Sequence, residues 1–164
     1  MTSRIVIMGV AGCGKSTVGA ALSRKTGIPY QDGDDLHPPA NVAKMKAGTP
    51  LSDDDRWPWL DLVAAELAGN APLMIGCSAL KRAYRDRIRA GAGGPVTFVH
   101  LAGSRDVIEK RMAARKGHFM PVSLLDSQFA ALEEPAPDEA RLTVDIDQPL
   151  ALIVAQIVKG LALG

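Results

Sequence analysis

The stretch that most restricts this chain is GVAGCGKST, residues 9–17. It matches G-x-x-x-x-G-K-[ST] at Gly9, Gly14, Lys15 and Ser16. It also stands between an apolar run, RIVIM (4–8), and a helical pattern, GKSTVGAALSRKTG. Strand, glycine turn and helix form the setting this motif needs. Glycines let successive backbone N–H groups turn inward around phosphate oxygens, and the helix N-terminus adds positive partial charge. By average composition, four such fixed positions arise by chance in a chain this long less than about once in a hundred. The loop Gly9, Val10, Ala11, Gly12, Cys13, Gly14, Lys15, Ser16 and Thr17 is therefore expected to cradle a nucleoside triphosphate. Lys15 is placed to reach the β- and γ-phosphates, and the Ser16 hydroxyl to ligate Mg²⁺. Thr17 reads as a packing or capping residue within that loop. Cys13 lies near a helix N-terminus, a position that lowers a thiol pKa.

Downstream, apolar runs alternate with helical patterns. IPYQD, PLMIGCS (72–78), PVTFVHLAG and RLTVDID read as further strands. PPANVAKMKAG reads as a short helix with prolines at its start and Gly48 at its end. SDDDRWPWLDLVAAELAG reads as another, with Ser52 as N-cap and Asp55 three residues on. ALKRAYRDRIRAG, SRDVIEKRMAAR, VSLLDSQFAALEE and PLALIVAQIVKGLAL complete the helical set. Such alternation argues for one α/β domain over 1–164, with a parallel sheet covered on both faces.

Composition narrows the function classes. The 164 residues carry a formal net charge of +1, so no global field draws the chain to nucleic acid or a membrane surface. No apolar run reaches the length of a membrane span, and the N-terminus enters the phosphate loop without a signal-peptide pattern. Cys13 and Cys77 show neither metal nor disulfide spacing, which suits free thiols in a reducing cytoplasm.

A phosphate loop does not say what receives the phosphate. QDGDDLHPPANVAKM (31–45) puts Asp32, Asp34 and Asp35 together where the second strand ends. In an open parallel sheet, ligands gather at the carboxyl ends of strands. On an extended chain Asp32 and Asp34 would point the same way. One would hold Mg²⁺ through water and the other would take a proton from an attacking hydroxyl. A solvated polar turn accounts for the same residues. Asp53 and Asp54 suit the first turn of a helix, Arg56 suits forked recognition of a carboxylate, and Trp57 and Trp59 suit packing. Ser78, Lys81 and Arg85 follow the third strand and face an anionic substrate in this reading; Arg87 and Arg89 read as a solvated helix face. Arg111, Arg115, Lys116 and His118, with Gly117 as a hinge, suit either a basic lid or an ordinary basic helix end.

Taken together, the runs MGVAGCGKST, DGDDLHPPANVAKMKAGTPLSDDDRWPWL, CSALKRAYRDRIR, RKGHFMPVSLLDSQFAALEEP and VDIDQPL closely resemble the gluconokinases of the small P-loop kinase type. These are relatives of shikimate kinase and the nucleoside monophosphate kinases. The resemblance covers nearly the whole chain and departs mildly at Cys13, where the family usually carries serine. It implies a three-layer fold with a five-stranded parallel sheet in the order 2-3-1-4-5 and a mobile lid over about 112–125. It implies ATP- and Mg²⁺-dependent phosphorylation of D-gluconate at its 6-hydroxyl, in gluconate catabolism feeding the pentose phosphate and Entner–Doudoroff routes. By the same resemblance Asp34 is the base and Asp32 holds Mg²⁺ through water. Arg56 holds the acid substrate, and His37, Ser78, Lys81, His118 and Gln128 contact the sugar. Arg111 flanks adenine with Gln148 and Pro149 opposite, Arg115 and Lys116 descend on the γ-phosphate, and the enzyme is a cytoplasmic homodimer. The rival readings are a P-loop kinase for another small acceptor and a non-catalytic nucleotide-binding regulator. The missing N-K-x-D argues against a GTPase switch.

Overall fold

Residues 4–8 form β1 (Arg4–Met8), and alternation along it divides the interior in two. In the computed structural model, which describes residues 3–114 and 122–163, Ile5 and Ile7 enter one core and Val6 and Met8 the other. The first core takes Val18 and Leu22 from α1 (Lys15–Thr26) and Ile153 and Ile157 from α7 (Leu150–Gly160). The second takes Trp59, Leu60 and Val63 from α3 (Asp53–Asn70) and Tyr84 and Ile88 from α4 (Arg82–Gly91). A strand apolar on both faces is buried on both faces, as a parallel sheet requires.

β1 lies at the centre of the sheet. With β2 (Tyr30–Asp32), β3 (Leu73–Gly76), β4 (Thr97–Ala102) and β5 (Arg141–Asp145) it forms a fully parallel sheet in the order β2-β3-β1-β4-β5. This is the order the resemblance implied. Strand order reverses beside β1, which opens a crevice at the carboxyl edge. The remaining helices are α2 (Pro39–Lys46), α5 (Arg105–Ala114) and α6 (Val122–Ala131). Residues 115–121, inside the expected lid, lie outside the described residues.

Asp55 joins α2 to α3. It closes a capping box with Ser52, its N–H donating to Ser52 Oγ at 3.1 Å and its Oδ2 accepting from the Ser52 N–H at 2.9 Å. Lys44 of α2 donates to the same carboxylate at 2.7 Å. The lysine first and the capping amide second draw the Asp55 carboxyl down to about 2.

Two boundaries differ from expectation. The third strand ends at Gly76, because the Ser78 carbonyl accepts from the Gly9 N–H at 3.3 Å and bends the chain toward the loop. The acidic run is not extended: Gly33–Leu36 forms a 3₁₀ turn. A Cβ at Gly33 would stand 2.4 Å from the Gly76 carbonyl oxygen, so only glycine lets the turn pack this closely on β3.

Candidate active site

The phosphate loop turns on Gly12 and Gly14, both left-handed at φ 82 and 96. Gly14 caps α1 without a side-chain hydrogen bond, leaving the first amides of the helix for an anion. Lys15 folds back on the loop: its Nζ donates to the carbonyls of Gly9 at 3.1 Å and Val10 at 3.3 Å. Cys13 is fully buried, and burial raises its thiol pKa against the lowering pull of Lys15. The expectation of a lowered thiol is thus overturned, because desolvation outweighs the cationic neighbour and the helix end.

Asp32, at the end of β2, serves two neighbours. Its Oδ1 accepts from the Asp34 N–H at 3.0 Å and its Oδ2 from the Ser16 hydroxyl at 3.5 Å. Asp32 caps the 3₁₀ turn and Asp34 is its second residue, so the two carboxylates diverge in role through a capping bond rather than through strand alternation. The Asp34 side chain is 76% exposed to the cleft. Its nearest described ion partner is His37 Nε2 at 3.8 Å. Partial desolvation and then the Asp32 charge raise its pKa, while His37 and Lys15 oppose that rise. Asp35 is exposed, as a solvated acid should be. Trp59 closes the turn from beneath, its Nε1 donating to the Gly33 carbonyl at 2.8 Å.

A second cluster sits where α3 meets α4. Arg56 donates to the Leu51 carbonyl at 2.8 Å and lies 3.6 Å from Asp53; Lys81 Nζ lies 3.9 Å from the same carboxylate. Both cations stand over the Tyr84 ring, at 5.6 and 5.7 Å from its centroid, and the Tyr84 hydroxyl donates to Asp53 at 2.5 Å. Asp53 is thus more than a helix-dipole acid. Tyr84 escaped the sequence reading; its only signal was its place three residues after Lys81.

The remaining expected residues take these places. Gln128, expected at the sugar, accepts from the Ala11 N–H of the phosphate loop at 2.7 Å. The His37 side chain is only 3% exposed, its ring stacked on Trp59. Ser78 meets Gly9 through its backbone. Arg85, expected to meet an anionic substrate, is fully buried and paired with Glu139. Arg89, expected on a solvated face, joins the same carboxylate, and Arg87 pairs with Asp61 at 2.7 Å. Arg115, Lys116 and His118 lie outside the described residues.

A cavity of about 290 Å³ opens beside the loop, lined by Gly12, Gly14, Thr17, Arg111, Leu150 and Ile153 among others. Arg111 also donates to the Ile146 carbonyl. Gln148 does not line this cavity; it is tied to the Asp145 carbonyl at 2.7 Å and to Gln156. Pro149 caps α7, and Leu150 and Ile153, which sequence reading missed, supply the apolar wall. A separate cleft of about 350 Å³ between α4 and residues 138–140 shares no residue with this one, and its Arg82 and Asp138 already pair.

A phosphate loop after the central strand, facing a carboxylate turn across the sheet edge, makes this a small P-loop kinase. The sequence model of the family described as AAA domain matches residues 5–135. A thermoresistant gluconokinase of Escherichia coli strain K12 is 46% identical, with 97% of this chain and 93% of that one covered. The crystal structure of a gluconokinase from Sinorhizobium meliloti 1021 is 51% identical, with a TM-score of 0.91 over 98% of this chain and 91% of that one. A shikimate kinase from Bacteroides thetaiotaomicron shares the fold at 19% identity, with a TM-score of 0.70 over 99% and 100% of the two chains. The chain belongs to the gluconokinase family.

Proposed function

We propose that this enzyme transfers the γ-phosphate of ATP to the 6-hydroxyl of D-gluconate, releasing 6-phosphogluconate and ADP. The observation that carries the reading is the exposed Asp34 carboxylate, with His37 Nε2 at 3.8 Å and the charge of Lys15 in the phosphate loop acting on it. The loop amides and α1 N-terminus hold the triphosphate, with adenine against Arg111 and Leu150. Lys15 leaves the Gly9 and Val10 carbonyls for the β- and γ-phosphates. Asp34 accepts the hydroxyl proton as O6 bonds to phosphorus and the bond to the β-phosphate oxygen breaks. Arg56 and Lys81 hold the substrate carboxylate, with Asp53 and Tyr84 fixing their positions.

Ser16 and Asp32 offer two hard oxygens beside the loop, a donor set that fits Mg²⁺ completed by waters and phosphates. Among the described residues no three His, Cys, Asp or Glu side chains gather to hold a metal alone. Bound there, Mg²⁺ supplies neutralisation of phosphate charge. Arg115, Lys116 and His118 belong in this reading to a lid that excludes water from the transfer. No helix among the described residues is long and apolar enough to cross a membrane. A cytoplasmic homodimer, each copy one kinase domain over 1–164, completes the proposal.

Coupled measurement of ADP release tests the acceptor. Gluconate is expected to give the highest kcat/KM among sugar acids, shikimate and nucleoside monophosphates. Equal or better turnover of another acceptor would sink gluconate as the substrate.

A further inference from the structure

We propose that His37 is a positioning residue: Asn41 holds its imidazole in the Nε2–H form, and that N–H faces the Asp34 carboxylate and aims it at the acceptor hydroxyl. The proposal rests on Asp34 as the base and adds roles for two buried side chains.

Asn41 lies on α2 and is 3% exposed. Its Nδ2 donates to the Asp55 backbone carbonyl at 2.9 Å. A carbonyl can only accept, so the amide cannot be turned round without setting oxygen against oxygen. The second Nδ2 hydrogen is then left for His37 Nδ1, 3.2 Å away. Nδ1 must accept that bond and so carries a lone pair. In a neutral ring the proton therefore sits on Nε2. The ring is stacked on Trp59, with centroids 4.1 Å apart and planes 18° from parallel. Burial lowers its pKa; Asp34 opposes that shift and Arg56 adds to it, and the net direction favours the neutral ring.

Nε2 stands 3.8 Å from Asp34 Oδ1, longer than a hydrogen bond. The exposed carboxylate closes that gap by a small rotation, and such bonds commonly tighten when substrate binds. One oxygen then accepts from His37 and the other keeps its lone pairs for the hydroxyl proton. His37 cannot be the base itself, because its only lone pair faces Asn41. The connection runs from the first turn of α3 through Asn41 and His37 to Asp34, so the helix that carries Arg56 also orients the base.

Long-range ¹H–¹⁵N spectra of the ligand-free protein, assigned against His37→Gln, read the ring directly. The wild-type ring is expected in the Nε2–H form, and Asn41→Asp, which offers Nδ1 an acceptor, is expected to place a proton on Nδ1. In turnover, His37→Gln keeps a donor at the Nε2 position and is expected within about threefold of wild-type kcat, within one weak hydrogen bond. His37→Phe is expected to lower kcat about 10- to 100-fold, the range of a lost hydrogen bond to a charged group. The KM for ATP should stay unchanged in both variants. A wild-type ring protonated on Nδ1 would overturn the proposal. So would an Asn41→Asp ring unchanged from wild type, His37→Phe at wild-type kcat, or His37→Gln as slow as His37→Phe. The spectra decide the ring assignment whether or not gluconate is the acceptor, so this proposal and the proposed function fail separately.

Discussion

Asp34→Asn is expected to lower kcat for gluconate phosphorylation by about 10²- to 10⁴-fold, the usual contribution of a positioned general base. ATP affinity should hardly change, because the triphosphate is held by loop amides and Lys15. The division of labour between the two acids follows from their commitments. Both Asp32 oxygens already serve neighbours, the Asp34 N–H and the Ser16 hydroxyl. The Asp34 carboxylate is 76% exposed and meets only His37 among the described ion partners, at 3.8 Å. A carboxylate pinned by two donors is a poor proton acceptor, and one open to the cleft with a raised pKa is a good one. Steady-state kinetics with an independent ATP-binding titration checks this. Near-normal kcat in Asp34→Asn would remove Asp34 from the role of base.

Glu139→Gln is expected to destabilise the fold by about 3–5 kcal/mol, the cost of leaving a buried charge without its partner. Arg85 is fully buried on α4, donating to Glu139 Oε1 at 2.8 Å and Oε2 at 3.2 Å and to the Ala79 and Leu80 carbonyls at 2.8 and 3.2 Å. The Ala136 N–H adds 2.7 Å to Oε2, and Arg89 completes the cluster. Burial alone would raise the Glu139 pKa, but these donors outweigh it and bring it to about 2, from an ordinary 4.5. A carboxylate depressed in the fold contributes stability above its unfolded pKa and loses it as pH falls through the folded value. The contribution is therefore complete above about pH 5 and fades toward about pH 2. Denaturant melts should show wild type losing more stability than Glu139→Gln on acidification. The paired change Arg85→Met with Glu139→Leu should cost less than Glu139→Gln alone, since the fully buried guanidinium leaves with its partner and the half-buried Arg89 keeps Asp86 at 2.7 Å. Because Arg85 also holds the Ala79 and Leu80 carbonyls, this pair anchors the segment that presents Lys81 to the cleft.

Local chemistry made much of this molecule legible. RIVIM before GKST determines a buried strand and a phosphate-cradling helix start within a few residues. Ser52 and Asp55 announced the α3 capping box, and Gly27 the end of α1. What escaped depends on partners distant in the chain. The acidic run was expected to extend by i, i+2 alternation, yet Gly33 is drawn into a turn by β3 and by the Trp59 N–H, 26 residues on. Arg85 looked like a ligand contact because Glu139, 54 residues away, gave no local sign. Gln128 reaches the loop across 117 residues, and Tyr84 and Asn41 take meaning only when α2, α3 and α4 meet. Cys13 shows competition of another kind: helix end and lysine favour the thiolate, but full burial prevails.

The central claim is the transfer of phosphate to one particular oxygen. NMR of the product formed from uniformly ¹³C-labelled gluconate, ATP and Mg²⁺ reads that bond directly. Phosphorus coupling confined to C6 and its neighbour C5 is the predicted result. Coupling at any other carbon, or ADP formed with no labelled product, would contradict the account.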